Sequence, residues 1–450
     1  MTVRVVLLAA GKGTRMRSRL PKLLHPLGGK PILMHALDAA VQASSQPPVL
    51  VVGHGAEDIR TAVGARAECV EQAEQLGTGH ALLQARPALE GKADLVLVSN
   101  ADLPLLRGGT LTALLEAQQK SKAAFTLLTL RQKEARGFGR IKRVKGKPVA
   151  IIEEAEASAR ELAIAELNVG AYCFDARWLW PALGKLKPSA QKGEYYLTDL
   201  LALAAKAGKK VQTIELADAT EAIGINTREH LAEAERALRT RINRHWMLAG
   251  VTIRDPHTTY IESGVTIGQD TVLEPNTMLL DGTRVGEDCR IGPNTSIAHS
   301  QVGNACHIQS AVVEHAIIEN NVEIGPFARL RPGAHLENDV HMGNFGEVKN
   351  SRLAPGVRMG HFSYIGDATI GRDVNIGAGT ITANFDGQNK NHTVIEEGVF
   401  IGSDTMLVAP LHIGKGARTG AGSVVTKDVP ANTVVVGVPA RAIRKLEGSD

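Results

Sequence analysis

Hydrophobic residues follow two different spacings along this chain, one on each side of Gly250. Before Gly250, short apolar runs alternate with segments of helical spacing: the runs lie at 3–8, 48–52, 95–99 and 124–130, and the helical segments include 32–44 and 79–88. Runs rich in Val, Leu and Thr are typical of buried strands. Strands that alternate with helices predict an α/β domain with a mostly parallel sheet covered on both faces.

After Gly250, aliphatic residues recur in steps of six, and a glycine often follows directly. The recurring positions include Val285, Ile291, Ile297, Val302, Ile308, Ile318, Ile324, Ile370, Ile376, Ile401, Leu407 and Ile413. A six-residue unit supplies one short strand and one turn, and three units make one coil around a narrow core. Residues 251–437 are expected to form roughly ten such coils. The 46 glycines and the low aromatic content of 4% suit a narrow core with tight turns.

The strongest helical pattern lies between these two regions, at 228–249. Its apolar residues fall near one stripe, at Leu231, Ala234, Leu238, Ile242 and Met247. Thr227 is the expected N-cap and Gly250 the expected stop. We interpret this helix as a joint between domains, although an ordinary last helix of the first domain fits equally well. The predicted organisation is a first domain at 1–227, a linker helix at 228–250 and a repeat domain at 251–450.

Length, charge and cysteine content exclude several classes of protein. The 450 residues allow two or three domains, and a formal net charge of +4 argues against general nucleic-acid binding. Cys69, Cys173, Cys289 and Cys306 form no CxxC pair and no zinc-ligand spacing, which favours reduced thiols in a cytoplasmic protein. The apolar run at 5–10 is too short to span a membrane, so we expect a buried strand, no signal peptide and no membrane contact.

A glycine-rich segment follows the first predicted strand and reads LAAGKGTRM from Leu8 to Met16. Gly11 and Gly13 allow the backbone to approach a ligand closely and to aim N–H groups at phosphate. Basic side chains nearby add positive charge. The segment is neither a Walker loop nor a complete G-x-G-x-x-G dinucleotide motif. A glycine-rich turn alone is weak support for phosphate binding.

The string GKGTRM, followed by Pro21 and Lys22, resembles the signature of sugar-1-phosphate nucleotidyltransferases. These Rossmann-like enzymes join a nucleoside triphosphate to a sugar phosphate and release pyrophosphate. The resemblance implies a site for UTP and a UDP-sugar at Leu8, Ala9, Ala10, Gly11, Lys22, Gln72, Gly77, Thr78, Asn100, Ala101, Asp102, Gly139, Glu153, Asn168 and Asn226. Asp102 and Asn226 are expected to bind Mg²⁺, which prefers oxygen ligands, while Arg15 and Lys22 neutralise charge on the phosphates.

Polar residues also interrupt the six-residue repeats. The runs GHFSYIGD at 360–367, NIGAGT at 375–380 and TANF at 382–385 resemble the acetyltransferase domain of bifunctional uridylyltransferase/N-acetyltransferases. The match covers nearly the whole chain, with both domains in the right order. It implies a left-handed parallel β-helix and acetyl transfer from acetyl-CoA to glucosamine 1-phosphate. It also implies a homotrimer whose active sites lie between subunits, and a place in bacterial envelope synthesis.

Residue types suggest how each acetyl-site position acts. An ammonium group must lose a proton before it attacks a thioester, and His361 is the expected general base. The resemblance assigns the remaining positions: Arg331 and Lys349 to the sugar phosphate, Tyr364 and Asn375 to the sugar, and Ala378, Asn384, Phe385, Ser403 and Ala421 to acetyl-CoA. Asn384 also suits the oxyanion or the amine. Arg441 and Lys445 fit either CoA phosphates or a solvated basic tail.

This sequence departs from the family pattern at two places, and two alternative functions compete with the bifunctional enzyme. Asn100 and Ala101 stand where the family often has an aromatic residue and a glycine, and Phe385 replaces a frequent tyrosine. One alternative is a nucleotidyltransferase whose repeat domain is only an oligomerisation scaffold. Another is a binding protein in which both sites have decayed. His361 and the polar excursion at 384–392 argue against a scaffold, which needs neither.

Overall fold

The structure, a computed structural model, describes residues 1–446, so the last four residues of the predicted domain at 251–450 lie outside it. The chain divides into two units, Met1–Leu238 and Arg239–Asp450. The division falls within the helix that the sequence predicts at 228–250.

Alternating strands and helices build the first unit. Its strands are β1 (Val3–Ala9), β2 (Pro26–Leu27), β3 (Lys30–Pro31), β4 (Val49–Val52), β5 (Glu68–Glu71), β6 (Leu95–Asn100), β7 (Phe125–Arg131), β8 (Arg140–Val144), β9 (Lys147–Ile152), β10 (Glu166–Asp175) and β11 (Val211–Glu215). Its helices are α1 (Ile32–Ala43), α2 (Ala56–Val63), α3 (Thr78–Gln84), α4 (Arg86–Leu89), α5 (Gly108–Ser121), α6 (Ala159–Leu162), α7 (Ala176–Leu183) and α8 (Leu200–Lys206). The predicted runs all become strands, and the segment at 79–88 divides into α3 and α4.

The main sheet has the order β11-β7-β10-β6-β1-β4-β5, with β8 and β9 attached beside β10. Strands β4, β1 and β6 run parallel, but β10 is antiparallel to both β6 and β7, so the sheet is mixed. Leu8 pairs with Asn100, and Ala9 pairs with Val52. The carboxyl ends of the central strands therefore meet at one edge, where open α/β sheets bind ligands.

Helix α9 (Arg228–Leu248) begins at the predicted cap, because the hydroxyl oxygen of Thr227 accepts a hydrogen bond from the His230 N–H at 3.2 Å. The predicted apolar stripe is wrong at Met247, whose side chain is 41% exposed. Asn243 is fully buried in its place. Its amide donates to the carbonyl oxygens of Pro256 at 2.9 Å and Thr259 at 3.1 Å, which removes the cost of burying a polar group.

The second unit contains short strands of two to six residues. They are β12 (Thr252–Ile253), β13 (Tyr260–Ile261), β14 (Thr266–Ile267), β15 (Val272–Leu273), β16 (Thr277–Leu279), β17 (Arg284–Val285), β18 (Arg290–Ile291), β19 (Thr295–Ala298), β20 (Gln301–Val302), β21 (His307–Ile308), β22 (Val312–Glu314), β23 (Ile317–Ile318), β24 (Glu323–Ile324), β25 (Arg329–Leu330), β26 (His335–Leu336), β27 (His341–Met342), β28 (Gly346–Lys349), β29 (Arg352–Leu353), β30 (Arg358–Met359), β31 (Ser363–Gly366), β32 (Ala368–Ile370), β33 (Asn375–Ile376), β34 (Ile381–Ala383), β35 (Thr393–Ile395), β36 (Phe400–Ile401), β37 (Met406–Val408), β38 (Leu411–Ile413), β39 (Arg418–Thr419), β40 (Val424–Val425), β41 (Thr433–Gly437) and β42 (Ala440–Lys445).

These strands form three parallel sheets, and as far as β40 every third strand belongs to the same sheet. Sheet I runs β12-β15-β18-β21-β24-β27-β30-β33-β36-β39-β41-β42, where the last pair alone is antiparallel. Sheet II runs β13-β16-β19-β22-β25-β28-β31-β34-β37-β40, and sheet III runs β14-β17-β20-β23-β26-β29-β32-β35-β38. The predicted aliphatic positions are buried in one continuous core. The unit is therefore a parallel β-helix in which stacking of coils buries the side chains.

A polar excursion at 384–392 lengthens one coil of the β-helix. Arg352 pairs with Thr369 in the preceding turn of sheet III, whereas Thr369 pairs with Val394 across the excursion. An antiparallel bridge between Phe385 and Lys390 closes the excursion into a loop. All four cysteines are free. Within residues 1–446, no helix is both long and apolar enough to cross a membrane.

Candidate active sites

A cavity of about 530 Å³ opens at the carboxyl edge of the sheet in the first unit. It is lined by Leu8, Ala9, Ala10, Gly11, Lys12, Lys22, Leu23, Gln72, Gln75, Gly77, Thr78, Ala81, Asn100, Asp102, Glu153, Glu194 and Tyr196. Most of the predicted nucleotide-site residues are in this lining. A cavity of this size, with convergent polar groups, suits a small-molecule substrate.

Lys22 lies between the two predicted metal ligands. Its ammonium nitrogen is 2.7 Å from Asp102 Oδ2 and 3.2 Å from Asn226 Oδ1. Both oxygens therefore converge on one position that already holds a positive charge. A carboxylate and an amide oxygen are donors that suit Mg²⁺, which binds through few protein ligands and keeps several waters.

The glycine-rich loop is shaped by contact with Lys22. Gly13 has φ +62°, and a Cβ atom there would lie 2.7 Å from Lys22 Cβ. Backbone conformation therefore favours glycine at this position, and the close approach of Lys22 leaves no space for a side chain. Arg15 follows in a short 3-10 turn and is exposed, outside the lining of the cavity.

Gln72 is buried at the wall of the cavity, and two neighbouring groups contact its side-chain amide. Its Nε2 donates to the carbonyl oxygen of Gly77 at 3.1 Å and lies 3.0 Å from His80 Nδ1. Ala101 is also buried, and its N–H donates to the Leu8 carbonyl at 3.0 Å, so its part in the site is a backbone contact beneath the glycine-rich loop.

Glu153 marks the other end of the cavity. Burial raises the pKa of its carboxyl group, and the Asp199 and Glu156 carboxylates raise it further, although a hydrogen bond from Thr198 lowers it. The Thr198 hydroxyl donates to Glu153 Oε1 at 2.7 Å. Gly139 lies beside this group, since a Cβ there would be 3.7 Å from Glu153 Oε1.

Asn100 and Asn168 lie on neighbouring central strands. A Cβ at Gly170 would lie 2.6 Å from Asn100 Nδ2, so the glycine makes room for this amide. Asn168 donates to the Tyr172 hydroxyl at 2.7 Å. Sequence reasoning missed Glu194 and Tyr196, which line the cavity from a segment far along the chain. No local motif marks that segment, so only the fold reveals it.

The second set of predicted residues lies on the β-helix. Lys349 and Tyr364 are on adjacent strands of sheet II, and Arg331 directly follows the strand before them. Arg331 pairs with Glu347 at 2.9 Å, and Glu347 is in register with Tyr364. Inward and outward side chains alternate along a strand, so these residues project from one outer face.

Asp367 organises the polar excursion. It accepts hydrogen bonds from Asn350 Nδ2 at 2.6 Å and from Asn384 Nδ2. Burial raises the pKa of this carboxyl, but the two amide hydrogen bonds and the positive charges of Lys349 and Lys390 outweigh burial and lower it.

Lys390, on the excursion, was not selected from the sequence. The neighbouring Lys349 ammonium lowers the pKa of Lys390, which places the two lysines together. A lysine in a polar loop carries no sequence signal that separates it from any other solvated lysine.

Three small residues predicted for acetyl-CoA form a column at one corner. Ala378 O accepts from the Asp404 N–H at 2.6 Å, and Ser403 O accepts from the Gly422 N–H at 2.8 Å, which places Ala378, Ser403 and Ala421 on consecutive coils.

His361 belongs to the same column, on the coil before Ala378, because Arg358 is in register with Asn375 and the Gly379 N–H donates to the Phe362 carbonyl at 2.7 Å. The His361 ring is exposed, and no group among residues 1–446 hydrogen-bonds it. Phe385 is 60% exposed. Asn375 lies on sheet I, away from the sheet II group, and Arg441 lies on the antiparallel terminal strand β42.

An α/β unit with a glycine-rich loop at its cavity, followed by a six-residue-repeat β-helix, defines a two-domain transferase. Residues 5–203 match the MobA-like NTP transferase domain family. Residues 264–299 and 392–427 match the bacterial transferase hexapeptide family, whose repeats are those of a left-handed β-helix.

The chain is similar over nearly its whole length to several curated proteins called "Bifunctional protein GlmU". The relative from Heliobacterium modesticaldum is 47% identical over 432 residues, covering 96% of this chain and 94% of the relative. Those from Pelobacter propionicus and Enterococcus faecalis are 45% and 44% identical over 438 and 441 residues, covering 95% and 96% of the relatives. The chain belongs to the GlmU family of bifunctional enzymes.

Proposed function

We propose that the enzyme makes UDP-N-acetylglucosamine in two steps. The β-helix transfers acetyl from acetyl-CoA to glucosamine 1-phosphate. The first unit then transfers uridylyl from UTP to N-acetylglucosamine 1-phosphate and releases pyrophosphate. The convergence of Asp102 and Asn226 on the position of the Lys22 ammonium is the observation that best supports this, since it creates a cation site at the mouth of the cavity.

In the uridylyl step, a phosphate oxygen of the sugar phosphate attacks the α-phosphorus of UTP, and the bond to pyrophosphate breaks. Positioning and electrostatic stabilisation supply most of the rate in such reactions. Asp102 and Asn226 would hold Mg²⁺, which stabilises negative charge on phosphate oxygens when bound. Lys22 and Arg15 neutralise charge on the phosphates, and Gln72 pairs with the base. Glu153, Asn168 and Gly139 bind the sugar.

In the acetyl step, the amine nitrogen of glucosamine 1-phosphate attacks the thioester carbonyl, and CoA leaves as the thiol. His361 accepts the proton that the amine loses, and its exposed ring is free to do so. Arg331, Lys349 and Lys390 bind the sugar phosphate, while Asn384 faces the amine or the oxyanion. The column of Ala378, Ser403 and Ala421 leaves room for the pantetheine arm.

Three copies of the chain are expected to assemble around sheet II. The outer face of sheet II carries four exposed apolar or aromatic residues, Tyr260, Met278, Val312 and Ile381. The outer face of sheet I carries mainly charged and polar residues. Exposed apolar faces of this kind mark protein interfaces. The separation of Asn375 from Tyr364 on two sheets also favours a site completed by a neighbouring subunit.

The direct test compares the parent enzyme with His361→Ala and with His307→Ala, an exposed histidine on sheet I, as the matched control. CoA release from acetyl-CoA and glucosamine 1-phosphate should vanish only in His361→Ala. Pyrophosphate release from UTP, N-acetylglucosamine 1-phosphate and Mg²⁺ should persist in all three. A folded parent that releases pyrophosphate but no CoA would instead make the β-helix a scaffold.

A further inference from the structure

His80, on α3, lies behind the cavity wall between the side-chain amides of two glutamines. Its Nδ1 is 3.0 Å from Gln72 Nε2, and its Nε2 is 3.1 Å from the amide nitrogen of Gln84. A neutral imidazole carries one N–H and one lone pair, so only one of the two amides can donate to it. When one amide donates to the ring, the other amide must turn its oxygen toward the remaining ring N–H.

The carbonyl oxygen of Gly77 decides this question. It can only accept, and Gln72 faces it at 3.1 Å, so Gln72 must present its NH₂ group there. The same nitrogen lies against His80 Nδ1, which therefore accepts. Gln84 faces a carbonyl oxygen too, that of His80, at the longer distance of 3.3 Å. Gln84 is half-buried and can exchange this contact for water, whereas Gln72 is buried and cannot. The imidazole proton is therefore assigned to Nε2 and donated to Gln84, whose amide turns its oxygen toward the ring.

This arrangement leaves one polar atom of Gln72 for a ligand. Both contacts from the protein are made by Nε2, and no group among residues 1–446 hydrogen-bonds Oε1. Gln72 lines the cavity, so it offers an acceptor to the base. Uracil has a donor at N3, whereas cytosine has an acceptor there.

We propose that His80 is a positioning residue that makes the site select uridine over cytidine triphosphate, by holding the Gln72 amide with its oxygen toward the base. The inference rests on the proposed uridylyl transfer. Without the Nδ1 acceptor, the Gln72 amide is held only by Gly77 and rotates more freely. An amide that presents NH₂ to the base pairs with the N3 acceptor of cytosine.

The test measures kcat/KM for UTP and for CTP, with N-acetylglucosamine 1-phosphate and Mg²⁺, in the parent and three variants. His80→Leu removes the acceptor, and His80→Gln replaces it with an amide at the Nε2 position. His80→Asn keeps an oxygen near the Nδ1 position. CoA release, the reaction proposed for the other unit, is the internal control for folded enzyme.

We expect the UTP-to-CTP ratio to fall by about tenfold or more in His80→Leu and His80→Gln, because a paired base edge contributes discrimination of that order. His80→Asn should recover most of the ratio. A merely structural role would lower both rates together. An unchanged UTP-to-CTP ratio in folded His80→Leu or in folded His80→Gln overturns the proposal. If His80→Leu does not fold, His80→Gln alone provides the test. A parent inactive with UTP would contradict the uridylyl transfer itself.

Discussion

Lys22 Nζ lies 2.7 Å from Asp102 Oδ2, although the two residues are 80 positions apart in the chain. Asn226 joins them from 204 positions beyond Lys22. The parallel pairing of β1 with β6 brings their carboxyl ends together, and the segments that follow deliver Lys22 and Asp102 to one point. The candidate cation site therefore depends on the sheet and on no single motif.

Replacing Asp102 with Asn should abolish uridylyl transfer. The change removes the negative charge that we propose holds Mg²⁺, so we expect Mg²⁺-dependent pyrophosphate release to fall by about 100-fold or more. CoA release should be unaffected. Asp38→Asn is the control, since Asp38 pairs with Lys30 and Arg66 on the surface of the same unit. Equal losses in both variants would contradict the role of Asp102.

Gly13→Ala should impair the enzyme in two separable ways. A side chain at φ +62° costs about 1–2 kcal/mol of folding free energy, and the new Cβ would displace Lys22. Gly91→Ala provides the matched control, because Gly91 has φ +76° with nothing within 4 Å of a Cβ. Chemical denaturation should show similar destabilisation in both, while pyrophosphate release falls only in Gly13→Ala. Full activity in Gly13→Ala would refute the contact with Lys22.

Glu153→Gln should stabilise the protein at neutral pH. Burial raises the pKa of Glu153, so its stabilising contribution is present below the unfolded pKa and is lost as the pH rises through the folded value. The neutral amide of the variant does not ionise, so the variant does not lose this stability as the pH rises. Thermal unfolding should show a higher Tm than the parent at pH 7.5, and the difference should shrink near about pH 4. Glu134→Gln, at an exposed site, should change little at either pH, and the sugar phosphate KM should rise only in Glu153→Gln.

Asp367→Asn should weaken acetyl transfer, because Asp367 holds the Asn384 amide. The lowered pKa of Asp367 means that its contribution to stability is present above the unfolded pKa and lost as the pH falls through the folded value. The variant should therefore be less stable at pH 7 and approach the parent on acidification. Asp373→Asn is the control, because both aspartates have positive φ, 51° and 55°, which Asn tolerates. We expect CoA release to fall about tenfold in Asp367→Asn alone.

Val312→Glu should break the proposed trimer. Val312 on sheet II and Ile317 on sheet III are each 45% exposed, so the same charge introduced at Ile317 controls for effects on the β-helix itself. Light scattering should report monomers for Val312→Glu and trimers for Ile317→Glu. CoA release should be lost with the trimer while pyrophosphate release continues. Trimeric, fully active Val312→Glu would rule out sheet II as the interface.

The predictable part of the fold is the part that repeats or alternates locally. Steps of six along the chain indicate the coils, and the same aliphatic positions form the core. The Thr227 cap is equally local. Met247 was misplaced because Asn243 finds two carbonyl partners that the helical pattern cannot reveal. The antiparallel course of β10 also depends on pairing with distant strands.

The two architectures, the glycine-rich loop and the identity of the candidate chemical groups can be predicted from the amino-acid sequence, because they depend on residue type and near spacing. Which of these groups share a site depends on long-range contacts. Lys390 meets Lys349, and Glu194 and Tyr196 reach the cavity, through chain segments that carry no local signal. The orientation of Gln72 depends on His80 and Gly77 together. Hydrogen bonds are directional and short, so such choices exist only once the backbone has brought both partners within reach.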